Sequence, residues 1–414
     1  MGNLMTCKIN ADTTDGLKLI SDTSGAVDIQ SNGTTKVTID ANGNINTVGQ
    51  VSTTDNGTIV TRPNVKPLII NGDMAVAQRG TSTTGITGGG YHTIDRMKVD
   101  LSDNGTWTHT QDTDVPTGEG FANSWKLDCT TADTSVASGT FHLARYLFEG
   151  QDLQLLKKGT SNAEKVTISF WIKATVTGTY IAELFDTDNS RQISQSYTVS
   201  SSNTWERKVL SFAGDTSGTL NNDNGSSFAI NLWLGAGSDF SGGTLNTSWA
   251  SSTNANRAVG QVNSGSSTSN NVYFTGLQME VGEYDSTTIP AFQHESYSDN
   301  LQRCKRYCQS TFSQGTAIGS ATAVGIIITC ATGTAVGRVA TGHQFPVSFR
   351  APPTIVIHNQ TGGTTGSGRN GDTGGLIAMS AGLASTDSAH FENSAAMGND
   401  GAQLQFQFSA TSEL

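Results

Sequence analysis

The sequence contains few charged, aromatic, proline and cysteine residues. Charged residues make up 14% of its 414 positions and aromatic residues 7%, and it has 7 prolines and 5 cysteines. An odd number of cysteines, spread from Cys7 to Cys330, argues against the paired disulfide framework of a small secreted scaffold. We therefore expect a chain that folds without disulfides in a reducing cytosol.

Three further features that the sequence lacks argue against membrane insertion, a secretory signal and a nucleic-acid partner. No run of 18 apolar residues is present, so no membrane insertion is expected. The first residues, "MGNLMTCKINADTTDG", lack the basic and apolar regions of a secretory signal. The formal net charge is −11, whereas nucleic-acid binding depends on clustered Lys and Arg, so no nucleic-acid partner is expected.

The chain is instead rich in glycine, with 47 residues, and in Thr, Ser and Asn, a composition typical of short β-strands joined by turns. The segments "KVTISFWIKATVTG" (165–178) and "SFAINLWLGAG" (227–237) carry an apolar residue at every second position. Further strands are expected at 179–185, 205–212 and 271–281. This spacing predicts an all-β protein in which residues 63–298 form an antiparallel two-sheet sandwich.

Residues 1–62 form a region of different composition. Turn dipeptides recur there at Ser24-Gly25, Asn32-Gly33, Asn42-Gly43 and Asn56-Gly57. Asn-Gly supplies the positive φ angles of a tight turn. The segments between the turns carry only two or three apolar residues each, too few to bury a core alone. We predict an intertwined homotrimeric β-stem, with a disordered leader as the alternative.

Residues 299–312, "DNLQRCKRYCQSTF", carry two cysteines four positions apart. On a helix Leu301, Cys304, Cys308 and Phe312 share one stripe. Zinc needs four ligands, and no CxxC or HxxxH partner is nearby, whereas free cysteine packs as a small apolar residue. We predict a connector helix at 299–312 with packing cysteines, weighed against a metal site or a redox pair. It leads to a smaller β-domain at 313–414, whose clearest strand is "AQLQFQFSA" (402–410).

Four stretches together resemble the tail-fibre and tailspike-type receptor-binding proteins of bacteriophages. They are "PLIINGDMAVAQRGTS" with "YHTIDRM", "YLFEGQDLQLLKKGTSNAEKVTISFWIKATVTGTY", "YFTGLQMEVGEYDSTTIPAFQHESY", and "LQRCKRYCQSTF" with "FPVSFRAPPTIVI". The resemblance implies a jelly roll similar to family 4/9-type carbohydrate-binding modules, which often hold a structural calcium. Asp73 fits one calcium-binding position, but Thr275 and Gly276 stand where an Asp pair would be, so no metal or other cofactor is expected.

Aromatic residues on the polar faces of two strands are the first candidate site. Trp171 and Trp233 project away from the apolar face of their strands, and an exposed indole can stack on the C–H face of a sugar ring. Tyr180 and Tyr273 are weaker candidates of the same kind. The alternative is that another sandwich layer, a long loop or a neighbouring subunit covers these side chains.

The Gly-rich stretch "NQTGGTTGSGRNGDTGG" (359–375) is the second candidate site. It contains GxGxxG, but a dinucleotide fingerprint needs a strand before it and a helix after it. We interpret the stretch as a mobile exposed loop at the tip. Its candidate receptor contacts are Thr364, Ser367, Arg369, Asn370 and Asp372.

Little in the sequence indicates catalysis. Glycoside hydrolysis needs two carboxylates in one cleft, and nothing in the sequence pairs those available at Glu183, Asp186, Asp188, Glu280 and Glu283. No GxSxG or HExxH motif is present. "DTDNS" (186–190) indicates a polar turn rather than an EF-type calcium loop, because Arg191 and Tyr197 replace the required Gly and Glu. We expect no enzyme.

The resemblance implies a virion protein made in the host cytoplasm, a phage tail fibre that adsorbs to the host cell surface. The expected partners are other copies of the chain in a homotrimer, tail or adaptor proteins bound through the N-terminus, and a host surface glycan. Two alternatives remain open, a structural decoration or adaptor fibre without a receptor and a glycan-depolymerising tailspike.

Overall fold

A computed structural model describes residues 26–41, 45–47, 51–53, 57–59, 66–330, 339–363, 365–394, 397 and 401–414. The described residues fall into two compact units, which lie within Met1–Arg62 and Pro63–Leu414. Both consist of antiparallel strands with little helix, so the expected all-β class is confirmed. None of the described helices is long and apolar enough to cross a membrane.

The first unit contains five short strands. A three-stranded sheet comprises β1 (Val27–Ser31), β2 (Thr34–Ile39) and β3 (Ile45–Thr47), and a hairpin comprises β4 (Val51–Thr53) and β5 (Gly57–Ile59). Asn32 and Gly33 have φ angles of 52° and 77°, which confirms one predicted turn. Among the described side chains of this unit none is buried, and Ile29 and Ile45 are 51% and 68% exposed. Much of the predicted stem lies outside the described residues, and its trimerisation stays a prediction.

Twelve strands of the second unit form two facing six-stranded sheets. In chain order they are β6 (Ser82–Ile86), β7 (Lys98–Ser102), β8 (Thr106–Asp112), β9 (Ser124–Thr131), β10 (Phe141–Glu149), β11 (Val166–Ala174), β12 (Gly178–Asp186), β13 (Arg191–Val199), β14 (Glu206–Phe212), β15 (Ser226–Ala236), β16 (Ala250–Ser251) and β17 (Asn271–Val281). Sheet A has the order β16-β13-β12-β15-β10-β7, and sheet B has the order β14-β11-β17-β9-β8-β6. The expected antiparallel sandwich is confirmed.

Apolar side chains at alternating positions of the strands fill the space between the two sheets. Ile168, Phe170 and Ile172 of β11 face the core, as the sequence predicts, and Phe228, Ile230, Leu232 and Leu234 of β15 meet them from sheet A. Burying one such side chain stabilises the fold by about 1.5–3 kcal/mol. The polar turn predicted at "DTDNS" joins β12 to β13, where the Asp186 carboxylate accepts a hydrogen bond from the Asn189 backbone N–H.

The connector helix is shorter than the sequence predicts. Helix α2 (Tyr297–Lys305) follows the four-residue helix α1 (Ser238–Ser241) and two 3₁₀ helices (Gly150–Leu156 and Asn254–Asn256). Ser296 caps it by accepting the Asp299 N–H. The helix ends before Cys308 because residues 308–310 join a sheet. The prediction that one helical face extends from Leu301 to Phe312 is therefore wrong. Cys304 packs against Ile70, Val76 and Tyr307, in agreement with the packing interpretation.

The C-terminal part of the second unit forms an eight-stranded sheet around its own core. Its strands are β18 (Cys308–Ser310), β19 (Ile327–Cys330), β20 (Ala340–Gln344), β21 (Thr354–His358), β22 (Ser367–Asn370), β23 (Leu376–Gly382), β24 (Ser388–Asn393) and β25 (Gln403–Thr411). Leu404, Phe406 and Phe408 of β25 are buried, as the alternation predicts. The strand β25 pairs with β18, β19, β21 and β22, and so organises the sheet.

Buried charges join this C-terminal sheet to the sandwich. The Glu413 carboxylate accepts hydrogen bonds from Arg79 at 2.8 Å and from Arg96 at 2.6 Å. The Arg96 guanidinium also lies 3.6 Å from the centre of the Tyr307 ring. Removing Glu413 would leave two buried cations without this partner, a change that typically costs about 3–5 kcal/mol. The two parts of the unit are therefore expected to unfold together.

Candidate functional site

The outer face of sheet A, opposite the core, is only partly open to solvent. Side chains on this face come from positions that alternate with core residues on β10, β12 and β15. Residues 237–262 connect β15 towards β17 and include α1 and the edge strand β16. Phe240, Leu245 and Ala258 of this segment pack over the end of the face that contains Trp233. Asp100 of β7 and Arg145 of β10 stay partly exposed beside this segment.

Trp233 is fully buried under the covering segment, which corrects the prediction of an exposed indole. It packs with Leu143 and Ile181, and Phe240 of α1 lies over it with ring centres 5.6 Å apart. Its indole N–H donates to the Glu183 carboxylate at 3.2 Å. The alternative of coverage by a long loop therefore describes this residue.

A cleft of about 380 Å³ lies where the covering segment meets β7 and β10. Its lining residues are Gly89, Asp100, Leu101, Phe141, Leu143, Arg145, Trp233, Phe240, Asn254 and Arg257. Phe141 and Phe240 form an aromatic corner, with ring centres 5.5 Å apart. A volume of this size lies within the range of small-molecule sites.

An ion pair on neighbouring strands forms the open side of the cleft. Arg145 on β10 donates from Nη1 to Oδ2 of Asp100 on β7 at 2.6 Å. Lys98 lies 3.5 Å from the other Asp100 oxygen. Leu143 is directly opposite Asp100 in the register of β7 and β10, so the sheet itself holds Asp100 and Arg145 together.

A second ion pair forms the covered side. Arg257 donates from Nε and Nη2 to the two oxygens of Glu183, at 2.8 and 2.9 Å. Glu183 is fully buried and also accepts from the side-chain amide of Asn231 at 2.8 Å. The Arg257 guanidinium lies 5.2 Å from the centre of the Trp233 ring. Because its partners are fixed, Arg257 is held at the cleft before any ligand arrives.

The cleft combines flat apolar walls with oriented hydrogen-bonding groups. Phe141 and Phe240 offer ring surfaces, while the two guanidinium groups and the Asp100 carboxylate offer donors and acceptors. A ring that has an apolar face and polar substituents around its edge matches such a surface.

Tyr180 lies in the core of the sandwich, so its predicted role as an exposed stacking surface is wrong. Its ring stacks on Tyr197 at 5.8 Å and its hydroxyl donates to the Val176 carbonyl at 2.9 Å. Burial raises the pKa of the Tyr180 phenol to about 12. The residue points inward because it alternates with Ile181 and Glu183 on the outer face.

Trp171 and Tyr273 lie on the outer face of sheet B. Tyr273 is 8% exposed, and Lys173 and Lys126 lie over its ring at 4.1 and 5.6 Å from the ring centre. Lys173 pairs with Asp114, which also accepts from the Trp205 indole at 2.9 Å. Trp171 is half-buried. The two candidates are therefore not brought together with Trp233 or Tyr180.

The candidate tip residues do not form one mobile loop, which corrects that prediction. Ser367, Arg369 and Asn370 belong to β22, which pairs with β23 and β25. Asn370 is buried, and its side-chain oxygen accepts from the backbone N–H groups of Asp372 and Thr373. Asp372 is exposed in this turn, and Thr364 lies outside the described residues.

The positions suggested for calcium serve structural contacts. The Asp73 carboxylate accepts from Asn300 at 3.1 Å, and its burial raises its pKa. Thr275 donates to the Asn123 carbonyl at 2.7 Å. At Gly276 the φ angle is +62° and an added Cβ would lie 2.6 Å from Phe121, so glycine is required there. Among the described residues, His, Cys, Asp and Glu side chains form no group of three or more suited to a metal.

Sequence reasoning missed Asp100, Arg145 and Arg257 as members of one site. Asp100 and Arg145 are 45 positions apart, and Glu183 and Arg257 are 74 apart. The available signal was local: Arg145 occupies an outward position in the alternating strand "FHLARYLFE", on the same face as Trp233.

Comparisons with known proteins show no relative by sequence. No family model matches the chain, and no curated protein is significantly similar to it. Matching solved structures include tailspike protein 4 of bacteriophage CBA120, enzymatically active domain, at 13% identity and a TM-score of 0.28. That match covers 52% of this chain and 21% of the tailspike chain, so this chain matches only about a fifth of that protein.

Two further solved structures are similar over the same share of the chain. One is a putative sugar binding protein from Bacteroides thetaiotaomicron, at 11% identity and a TM-score of 0.28, covering 52% of this chain and 100% of that one. The other is the family 11 carbohydrate-binding module of a cellulosomal cellulase of Clostridium thermocellum, at 12% identity and a TM-score of 0.22, covering 52% and 95%. At these TM-scores the similarity carries no argument about function.

Proposed function

We propose that this chain binds a glycan in the cleft on the outer face of sheet A. The observation that carries the proposal is the joining of an aromatic corner, Phe141 and Phe240, to two pre-paired guanidinium groups in a cavity of about 380 Å³. Sugars present both an apolar ring face and a rim of hydroxyl groups, so they use both kinds of surface.

The proposed activity is binding without cleavage. Among the described residues that line the cleft, Asp100 is the only carboxylate, and it is paired with Arg145 and Lys98. Glu183 lies beneath the cleft, fully buried, and is held by Arg257. Hydrolysis of a glycosidic bond needs two carboxyl groups that reach the scissile bond from both sides. This arrangement favours a binding site.

We further propose that the chain is a phage tail fibre in the virion, which adsorbs to a host surface glycan. The motifs at 67–97, 146–180, 273–297 and 301–357 support this proposal, as they resemble such proteins. The first unit, whose described side chains include none that is buried, supports assembly as a homotrimer that attaches to tail or adaptor proteins. Three weak sites on one particle would gain avidity through effective concentration.

Glycan arrays and whole-cell binding test the proposed function. The purified full chain should bind at least one class of bacterial surface glycan, and Phe141→Ala should weaken that binding about tenfold, since one aromatic contact is removed. Arg207→Gln on the exposed rim of sheet B is the matched control and should bind as the wild type does. Failure of the wild type to bind any glycan or any permissive host cell would favour a structural virion component instead.

A further inference from the structure

The charge around the cleft has the opposite sign from the charge of the whole chain. Three cations, Lys98, Arg145 and Arg257, stand against two carboxylates, Asp100 and Glu183, so the site carries a net charge of 3 − 2 = +1. The chain as a whole carries −11. A chain with this net charge does not attract polyanions in general. The local positive charge therefore points to a specific ligand at the cleft.

Both carboxylates already have cationic partners. Glu183 is fully buried, accepts from Arg257, Asn231 and Trp233, and does not line the cleft. Asp100 accepts from Arg145 on one oxygen and faces Lys98 on the other. Neither carboxylate therefore presents an uncompensated negative charge to a ligand.

The two guanidinium groups keep unused donors. Arg257 spends Nε and Nη2 on Glu183, which leaves Nη1. Arg145 spends Nη1 on Asp100, which leaves Nη2; within the described part of the chain its Nε has no hydrogen-bond partner, but this atom is buried. The cleft thus offers more donors than acceptors, and the donors are charged. Charge-assisted hydrogen bonds to an anionic acceptor are about twice as strong as neutral ones.

Resting on the proposed glycan function, we infer that the ligand is an acidic sugar whose anionic substituent lies between Arg145 and Arg257, with its ring against Phe141 and Phe240. A carboxylate, as in a uronic acid, matches the planar fork of a guanidinium group in two parallel hydrogen bonds. A sulfate ester on a neutral sugar offers the same charged oxygens, so the test includes both.

The test uses the full chain and three soluble oligosaccharide probes measured by calorimetry at low and high salt. They are an oligogalacturonate, its carboxyl-reduced neutral counterpart, and a sulfated neutral oligosaccharide of the same length. The oligogalacturonate should bind about tenfold more tightly than its reduced form at low salt. This preference should shrink as salt screens the ion pair. Net repulsion from a chain of charge −11 works against unspecific binding of the polyanion.

Two substitutions at the open side of the cleft separate charge from shape. Arg145→Gln should remove most of the preference for the oligogalacturonate while the reduced probe still binds. Asp100→Asn should increase the preference, because it removes a negative charge and leaves Arg145 more available. Arg207→Gln on sheet B is the control of equal charge change and should keep the wild-type preference. If Arg145→Gln does not fold, the increase expected from Asp100→Asn carries the test.

Equal binding of the reduced probe and the oligogalacturonate by the wild type would overturn the inference and leave the proposed glycan function standing. Binding of the sulfated probe as tightly as the oligogalacturonate would support an anionic ligand whose charged group need not be a carboxylate. An absence of binding to all three probes, together with binding of a neutral glycan on the arrays, would also overturn the inference. If the chain binds no glycan on the arrays, the proposed function itself is wrong.

Discussion

The two sheets of the sandwich carry similar outward residues but differ in what covers them. Sheet A has Trp233 and sheet B has Trp171, each on a strand whose other face fills the core. Over sheet A, part of the segment 237–262 packs on Trp233 and borders a cleft with two ion pairs. On sheet B, lysines lie over Tyr273. An outward aromatic residue is thus not a site by itself, and the connecting segment decides what becomes of it.

The largest expected difference between the two faces concerns stability. Glu183→Ala on sheet A would leave Arg257 without its partner and Asn231 and Trp233 without an acceptor, in a fully buried position. We expect the free energy of unfolding to fall by about 3–5 kcal/mol. Chemical denaturation of wild type and variant measures it.

Asp114→Asn on sheet B is the matched control for that experiment. Asp114 also pairs with a cation and accepts from an indole, but its side chain is 45% exposed. The loss should be below about 1 kcal/mol, because solvent screens an exposed pair. Similar losses for Glu183→Ala and Asp114→Asn would show that burial under the covering segment is not what distinguishes the faces.

The second expected effect is a loss of stability in acid through His142, the neighbour of Phe141 on β10. Burial lowers its pKa to about 3, from 6.5 in an unfolded chain. The unfolded state therefore takes up a proton first as the pH falls, and stability from this group is complete above about pH 6.5. This contribution to stability is lost progressively between pH 6.5 and pH 3 and changes no further below pH 3.

A pH series of denaturation curves checks this expectation. The slope of the unfolding free energy against pH reports how many protons are taken up on unfolding. His142→Gln should lower that number by up to one in this pH window. His390→Gln, at a half-buried histidine of β24 in the C-terminal sheet, is the comparison variant. If the unfolding free energy of His142→Gln depends on pH as steeply as that of the wild type, other groups cause the acid sensitivity.

The elements themselves followed from the sequence where side-chain alternation was strong. Strands β11, β15 and β25 are present with the faces that their apolar periods predict. Two predictions failed for the same reason. The helix predicted beyond Lys305 is replaced by β18, and part of the loop predicted at 359–375 is replaced by β22, and both strands pair with β25. Pairing with a strand about 35 to 100 positions away is not encoded in a local pattern.

The cleft was less predictable than the strands. Sequence alternation correctly placed Trp233 on the outer face, yet it carried no information about the segment 237–262 that covers it. Arg145 and Asp100 meet only because β7 pairs with β10 in one particular register. A shift of that register by one residue would put Asp100 on the opposite face of the sheet. Site geometry of this kind depends on tertiary pairing, which a single sequence specifies only as a whole.

The smallest expected effect is also the one that tests the comparison most directly. Trp171→Ala on sheet B should change glycan affinity less than twofold, because Trp171 lies on the face opposite the cleft. Phe240→Ala on the covering segment should weaken binding about tenfold by removing one wall of the aromatic corner. Both variants lose one partly buried ring, so their unfolding curves provide the control for general damage. Loss of binding in Trp171→Ala with full binding in Phe240→Ala would move the site to sheet B.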